Sequence, residues 1–515
     1  MKKRILLINS NQFKQPWPVI PFGLCHIASV SEKAGHVVEV LDLCFSKNPE
    51  KDISKTIKNF RPDIVGVSIR NIDNGAGYNT YFLLEDVKKE VIEPLKKYFQ
   101  GPIVIGGPAV SINPVEILQY LGLNFAIRGD GELSFLQFVE RYLKNDDRKV
   151  AQIKGLVIFK NGKVIVDNPP WRIENLDDIP IVDPSRYIDL KEYRKYNSPL
   201  QIQTKRGCPL SCIYCTYNKI EGKCYRFKSP KRVVDEIEYL VKKTGINHVE
   251  FTDSTFNVPL YHAKAILKEI LSRKLNLRLR TMGLNPGSVD EELIELMQKT
   301  GFMDVDLGAE SGSNTTLKSL RKNFGKKEVL KAGQLLRKYK IPTTWYLLLG
   351  APQESIFTLK ETFDTITKAA SNWDLINIGI GIRVYNNAPV AKLVKKRKGN
   401  FLYPVNFEPE DIGLQEIKVY TKWMSFHYDN FFMYDEDEKT PLIVLKIGTG
   451  LLRIFAPNQP IWRLFILLRK IQRYTGITWI KKAIFWRKHK STLDRLQKII
   501  KESQHRAGSL YGVAS

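Results

Sequence analysis

The sequence predicts an α/β chain: a doubly wound parallel sheet, then a second βα series, then a mainly helical region. Three observations carry this reading. From Ile5 to about Leu143 short β-branched runs alternate with longer helix-like stretches, a second alternation of the same kind runs from about Gln201 to Val384, and beyond about residue 400 the alternation stops. Strands alternating with helices imply parallel sheets covered by helices.

The first series places strand candidates at 5–8, 37–41, 64–68, 103–105 and 125–127. In such sheets ligands sit at the carboxyl ends of the strands. Here those ends carry Asn9-Ser10-Asn11, the polar run from Ser68 to Asn74, Gly106-Gly107-Pro108 and Gly129-Asp130-Gly131-Glu132, which makes this the expected binding edge. Around Asn161-Gly162 the pattern becomes that of a two-residue hairpin, and Pro169-Pro170, Pro180 and Pro184 then mark a linker. The second series has strand candidates at about 201–206, 248–253, 277–282, 303–309, 343–349 and 376–384. Six such strands suggest a partial (β/α)6 barrel, with an open sheet also compatible with the pattern. The expected division is a Rossmann-like domain over 1–145, a hairpin and linker over 146–195, the partial barrel over 196–395, and a basic, mainly helical region over 396–515.

Composition bounds the class. A chain of 515 residues amounts to two or three domains at ~100–200 residues each. Hydrophobic residues at 43% and charged residues at 26% exclude collagen-like, low-complexity and coiled-coil chains, and six cysteines exclude a disulfide scaffold. The net charge of +26 implies an anionic partner: nucleic acid, an acidic membrane surface or phosphate-bearing cofactors. The opening MKKRILLINSNQF has too short an apolar run for a signal-peptide core. No window approaches the ~18 unbroken apolar residues of a membrane span; the nearest, 442–468, is interrupted by Lys446, Arg453 and Arg463. A cytoplasmic protein is expected, with peripheral membrane association left open.

The most informative segment is Lys205-Arg206-Gly207-Cys208-Pro209-Leu210-Ser211-Cys212-Ile213-Tyr214-Cys215, just after the first strand of the second series. In a reducing compartment so compact a cysteine triad favours a metal site over a disulfide. Zinc would need a fourth ligand, and Cys224 is near enough to keep that option open. Three thiolates on one loop fit an iron–sulfur cube with one open iron better.

A strand followed by CxxxCxxC, with an aromatic residue before the last cysteine, resembles the radical S-adenosylmethionine (SAM) superfamily. Three further segments agree in order: Glu250-Phe251-Thr252-Asp253-Ser254-Thr255-Phe256-Asn257, Gly308-Ala309-Glu310-Ser311-Gly312-Ser313 and Leu349-Gly350-Ala351-Pro352-Gln353-Glu354-Ser355 resemble the second-, fourth- and fifth-strand motifs. The resemblance spans about residues 195–390. It implies a [4Fe–4S] cluster on Cys208, Cys212 and Cys215, with the methionine amine and carboxylate of SAM on the open iron. It also implies a 5′-deoxyadenosyl radical formed by one-electron C–S cleavage inside a barrel that excludes water. By the same resemblance Glu310 and Ser311 face the ribose or methionine part of SAM, Tyr214 lies near the adenine, and Gly350 lets the backbone approach it. The plainer alternatives are an ion pair in the barrel for Glu310, a turn for Ser311 and core packing for Tyr214.

The first domain resembles the cobalamin-binding domain that precedes one branch of these enzymes. The agreeing pieces are Pro21-Phe22-Gly23-Leu24, Gly35-His36-Val37 leading to Val40-Leu41-Asp42, Val65-Gly66-Val67-Ser68, Ile105-Gly106-Gly107 and Arg128-Gly129-Asp130-Gly131-Glu132. The candidate corrinoid contacts are Ser68, Arg70, Asn71, Gly106, Gly107, Gly131 and Glu132. The motif DxHxxG, which would supply a histidine to cobalt, is absent, and neither His26 nor His36 has the required neighbours. The alternative is an ordinary Rossmann-like domain without a ligand.

The C-terminal region carries an acidic cluster, Asp435-Glu436-Asp437-Glu438, followed over 439–490 by twelve Lys/Arg with no Asp or Glu and by Trp462, Phe465, Trp479, Phe485 and Trp486. Over 461–474 the helical spacing of Ile461, Leu464, Phe465, Leu468 and Ile471 predicts an amphipathic helix. Its partner is the barrel, an anionic lipid surface or, less favoured, nucleic acid.

The function these resemblances imply is a cobalamin-dependent radical SAM methyltransferase acting at an unactivated carbon. Its expected substrate is a small hydrophobic or amphiphilic molecule, lipid-like or isoprenoid, and its expected electron donor is a flavodoxin or ferredoxin. The alternatives are oxidation, cyclisation or rearrangement without methyl transfer, RNA methylthiolation, and a corrinoid sensor without catalysis. Methylthiolation needs an auxiliary cluster, for which Cys25, Cys44 and Cys224 are too scattered. No side chain is assigned as catalytic.

Overall fold

The computed structural model describes residues 2–14, 17–75, 77, 79–144, 146–394, 401–433 and 459–511. The first series forms one sheet from β1 (Arg4–Asn9), β2 (Val37–Asp42), β3 (Ile64–Ser68), β4 (Ile103–Gly106) and β5 (Phe125–Ile127), with the hairpin β6 (Leu156–Lys160) and β7 (Lys163–Asp167) at one edge. The order is β2-β1-β3-β4-β5-β6-β7, parallel through β5 and antiparallel beyond. Ile5, Leu6, Leu7 and Ile8 are apolar on both faces of β1 because helices cover both. Ile5 and Leu7 pack with Phe135, Phe138 and Val139, and Leu6 and Ile8 with Ile53 and Ile57 on the opposite side. The hairpin turns through Asn161 and Gly162 at φ 50° and 74°, the left-handed pair that the Asn-Gly dipeptide accommodates.

The second domain contains β8 (Leu200–Ile202), the short ribbon β9 (Lys205–Arg206) and β10 (Arg226–Phe227), then β11 (His248–Phe251), β12 (Arg278–Leu284), β13 (Phe302–Glu310), β14 (Thr343–Leu349) and β15 (Leu375–Ile380). The ribbon β16 (Ile382–Arg383) and β17 (Asn406–Phe407) and a last strand, β18 (Phe431–Met433), follow. Its main sheet runs β18-β15-β14-β13-β12-β11-β8, all parallel, and β8 and β18 do not pair, so the barrel is partial. Strand β18 adds a seventh to the six expected; three residues are too few to show a period. Helices Pro230–Thr244, Leu260–Ser272, Glu291–Lys299, Lys326–Lys338 and Ile356–Ala369 cover the outside. The first of them starts where Ser229 accepts the Arg232 N–H with Pro230 next, and stops at Gly245 with φ 67°. Val249, Phe251, Leu279, Val305, Leu307, Trp345 and Leu347 are buried under these helices, whereas Glu250, Arg280, Asp304 and Asp306 occupy the alternate, inward positions.

The two sheets meet at their carboxyl edges. Asp73, on the loop after β3, accepts hydrogen bonds from Arg383 Nε at 2.7 Å and the Tyr385 hydroxyl at 3.0 Å, and Asn386 donates to Glu116 at 2.7 Å.

Beyond the barrel lie helix Leu414–Ser425, helix Arg463–Tyr474 and a long helix Ile477–Tyr511 interrupted at His489. The acidic cluster at 435–438 and the stretch 439–458 fall outside the described residues. The helix expected over 461–474 forms, but rotated: Ile466 is its buried residue, while Ile461 and Ile471 are exposed. Arg469 and Arg473 are turned inward, Arg469 to the Phe431 carbonyl and Arg473 to Asp429 at 2.7 Å and the Phe426 carbonyl at 3.1 Å, and these bonds swing part of the apolar stripe outward. Among the described residues no helix is long and apolar enough to cross a membrane.

Asp73→Ala would leave Arg383, itself buried, without its carboxylate. The expected cost is about 3–5 kcal/mol, read as a lower first midpoint in urea denaturation and earlier protease cleavage between the domains.

Candidate functional site

The cysteine loop hangs between β9 and β10. Its turn is built at Gly207, where φ is 95° and a Cβ would stand 2.0 Å from the Cys224 carbonyl oxygen, so only glycine fits. The Gly207 N–H donates to Glu221 at 3.0 Å and its carbonyl accepts from the Ser254 hydroxyl at 3.1 Å. Just before it, Lys205 is wholly buried, with Nζ 3.0 Å from Asp253 and 3.0 Å from the Phe256 carbonyl. Asp253 also accepts from the Thr204 hydroxyl at 2.6 Å. The second-strand motif therefore anchors the cysteine loop.

Cys208, Cys212 and Cys215 line one cavity of about 320 Å³ with Tyr214, Tyr217, Met282, Glu310, Lys322 and Tyr346. Burial pushes the Cys215 thiol up to about 12 and raises that of Cys212. Burial outweighs the opposing charge of Lys322 at both, and three thiols on one wall are a donor set for a metal cluster. Among the described residues no three His, Cys, Asp or Glu side chains converge on a single ion. Cys224 is exposed, so the zinc alternative lacks a closed site. Cys25 and Cys44 are buried in the first domain, outside this cavity.

Glu310 faces the same cavity at φ 60°. Its Oε1 accepts from the Tyr214 hydroxyl at 2.6 Å and from Lys322 Nζ at 3.2 Å, and Lys322 also donates to the Tyr214 oxygen at 3.1 Å. Ser311 is placed differently. Its hydroxyl bonds Thr362 at 2.7 Å and accepts the Ser313 N–H, and it does not line the cavity. Gly350, at φ 94°, packs against Leu414 and the Gly381 backbone, also outside the lining. Lys322 lies twelve residues past Glu310 in no recognisable motif.

Deeper in the lumen one guanidinium serves three carboxylates. Arg280 bonds Glu250, Asp304 at 3.0 Å and Asp306 at 3.2 Å. Burial, with Asp304 and Glu250 alongside, pushes the Asp306 carboxyl up. Trp17, from the loop after β1, stacks on Arg280 at 4.5 Å, and Trp462, from the C-terminal region, donates to Asp304 at 3.2 Å.

The carboxyl edge of the first sheet holds a second cavity, of about 220 Å³, lined by Ser68, Gly106, Gly107, Gly131 and Glu132 among others. A Cβ on Gly106 would meet only the Ile127 carbonyl, at 3.6 Å, so this position opens into the cavity, and Gly107 turns at φ 103°. Such a small-residue cradle suits a bulky flat ligand with a narrow tail. Arg70 and Asn71 stand outside the lining, on the loop that docks the barrel. No lining residue is a histidine. His26 is buried, with Nδ1 unpartnered, and burial lowers it to about 4, whereas His36 accepts the Lys3 N–H at 3.3 Å.

The barrel closes that cavity with Gln203, Arg206, Ile220 and Glu221. Arg206 Nη2 lies 2.7 Å from Glu132 and its Nη1 3.4 Å from Asp130, and Arg226 and Arg172 also reach Asp130. Burial opposes the Glu132 charge, but Arg206 outweighs it and holds the carboxyl down at about 2. Burial dominates at Glu221 and pushes it up to about 7.

Comparison with known proteins agrees with both cavities. Residues 15–139 match the B12 binding domain model and residues 202–366 that of the radical SAM superfamily. The chain is similar to an uncharacterised methyltransferase of Pyrococcus horikoshii, 27% identical over 449 residues that cover 84% of this chain and 94% of the relative. It is also similar to the anaerobic magnesium-protoporphyrin IX monomethyl ester cyclase of Rubrivivax gelatinosus, 26% identical, covering 84% of this chain and 78% of the cyclase. Among solved structures, the radical S-adenosylmethionine methyltransferase TsrM from Kitasatospora setae, with cobalamin and [4Fe–4S] cluster bound, superposes with a TM-score of 0.70. It is 25% identical and covers 76% of this chain and 77% of its own. Thiols, glycine cradle and both domain models point one way: the chain belongs to the radical SAM enzymes that carry a cobalamin-binding domain ahead of the barrel.

Proposed function

We propose that this chain is a methyltransferase acting at a carbon atom of a small hydrophobic or amphiphilic molecule. When bound, a [4Fe–4S] cluster and SAM supply a hydrogen-abstracting radical, and cobalamin a transferable methyl group. One observation carries the reading: the two cavities border on one stretch of chain, Arg206 lining the edge cavity and Cys208, two positions on, the cysteine cavity. A substrate held between the carboxyl edges therefore lies within reach of both.

In this reading Cys208, Cys212 and Cys215 hold the cluster. Glu310 presents its free carboxylate oxygen to the sugar hydroxyls or amine of SAM, fixed by Tyr214 and Lys322, and Gly350 and Ser311 shape the strand ends behind it. Ser68, Gly106, Gly107 and Gly131 make room for the corrinoid tail, and Glu132 works through Arg206 to hold the domains together. Arg70 and Asn71, beyond the cavity lining, face the ring side of the same edge. Tyr217, Met282 and Tyr346 wall the space left for substrate, and Trp17 with Trp462 keeps water from its floor. The electron arrives from a flavodoxin- or ferredoxin-type donor.

The resemblance to the cyclase favours a second reading, oxidation or cyclisation without methyl transfer. Turnover separates the two. Methyl transfer yields both 5′-deoxyadenosine and S-adenosylhomocysteine, whereas 5′-deoxyadenosine alone establishes the second reading. Replacing Cys208, Cys212 and Cys215 with alanine should abolish iron, acid-labile sulfide and all 5′-deoxyadenosine.

Two substitutions probe the cavities separately. Gly106→Leu places a side chain in the edge cavity, and corrin absorbance should no longer survive gel filtration while iron content is unchanged. Glu310→Gln should weaken SAM binding by about tenfold, the loss of one charge-assisted hydrogen bond, at constant iron and corrin content, as measured by equilibrium dialysis.

A further inference from the structure

Among the described residues nothing covers the apolar surface of the helical hairpin after the barrel. Helix Arg463–Tyr474 and the first part of helix Ile477–Tyr511 meet at Thr475-Gly476, Gly476 turning at φ 80°. Around this tip Ile471 is 51% exposed, Trp479 65%, Ile480 64% and Ile484 63%, with Leu467, Tyr474 and Ile477 also exposed. Leu467, Ile471 and Tyr474 are spaced 4 and 3 apart, and Ile477, Ile480 and Ile484 are spaced 3 and 4 apart, so each helix offers one continuous apolar stripe. Soluble surfaces scatter such residues singly; a contiguous patch marks a docking face.

Charge identifies what docks. From 459 to 493 the sequence has nine Lys/Arg and no Asp or Glu. Beside the stripe Arg487, Lys488 and Lys490 of the second helix are exposed. An aliphatic tip ringed by cations, with a tryptophan at its shoulder, matches an interface of acyl chains below phosphate headgroups. Nucleic acid fits less well, because the tip is mostly Ile and Leu, which do not stack on bases.

We propose that this hairpin docks the protein on an anionic phospholipid bilayer, inserting the Ile471, Trp479, Ile480 and Ile484 face between headgroups whose phosphates meet the cations beside it. The contact is peripheral and independent of the reaction assigned to the cysteine and edge cavities. Trp462, immediately before the hairpin, is hydrogen-bonded in the lumen, so the docked face is covalently continuous with the floor of the substrate space.

The test is co-sedimentation of the full chain with vesicles. Binding is expected to vesicles of mixed phosphatidylglycerol and phosphatidylcholine, about tenfold weaker to phosphatidylcholine alone, and reduced by salt. The triple variant Trp479→Ala, Ile480→Ser, Ile484→Ser should lower binding about tenfold at unchanged iron content and far-ultraviolet circular dichroism. Arg487→Gln with Lys488→Gln should weaken binding and flatten its salt dependence. Absence of binding to mixed vesicles at low salt overturns the proposal, as does full binding by the triple variant. So does tight binding of a single-stranded RNA oligonucleotide by protein that ignores vesicles.

Discussion

Arg206 sets the relation between the two halves of this molecule. Its guanidinium is buried between Glu132 and Asp130 on one domain while its backbone belongs to the ribbon that launches the cysteine loop of the other. A buried ion pair earns little net stability over an apolar contact, yet removing one partner strands a charge at a cost of about 3–5 kcal/mol. Such a pair is therefore intolerant of displacement. Because Lys205 on one side is locked to Asp253 and the turn at Gly207 on the other is packed too closely on Cys224 to admit a Cβ, four consecutive residues tie the edge cavity, the barrel wall and the first thiol together. Chemistry that must bring two cofactors to one carbon tolerates errors of well under an ångström.

The lumen imposes a second constraint. Three carboxylates share Arg280 in a buried lumen, and burial first, with Asp304 and Glu250 beside it, pushes the Asp306 carboxyl up. An apolar floor would be more stable; the cluster instead gives the barrel a fixed field, with Trp17 and Trp462 packed against it. Both tryptophans come from outside the barrel, Trp17 from the loop after β1 and Trp462 from the C-terminal region, and reach residues of its central strands β12 and β13.

What the sequence revealed depended on how locally the information is written. The cysteine loop, the glycines at strand ends and the alternating series are short-range patterns, legible because spacing along the chain dictates them. Lys322 was not, since its partners Glu310 and Tyr214 are brought to it by the end of β13 and by the cysteine loop. The pairing of Glu132 with Arg206 crosses domains, so a residue read as a ligand contact also serves as the clasp. Ser311 sits inside a recognisable motif, yet its hydroxyl turns to Thr362, because a motif constrains the backbone more tightly than it constrains where a side chain points. The lumen cluster did leave a signal: in Glu250-Phe251, Leu279-Arg280 and Asp304-Val305-Asp306 charge alternates with apolar residues in strands that helices bury on their other face.

The rotation of helix Arg463–Tyr474 shows why amphipathic spacing alone cannot name the partner of a helix. Hydrophobicity placed Ile461 and Ile471 inward, but Arg469 and Arg473 find carbonyls and a carboxylate on the barrel, and Ile466 fills the remaining space. Charge-assisted hydrogen bonds to buried acceptors are each stronger than the burial of a single exposed aliphatic group is compelling, about 1.5–3 kcal/mol against a part of the 1.5–3 kcal/mol of full side-chain burial. Two arginines can therefore set the helix against its apolar moment. The outcome is a helix that attaches by its cations and leaves Ile461, Leu467 and Ile471 exposed. The +26 charge of the chain is accordingly spent in two different ways: inside the interface Arg206, Arg226 and Arg172 clasp the domains, while around the hairpin the excess faces outward, beside the aliphatic stripe that the same inward arginines expose.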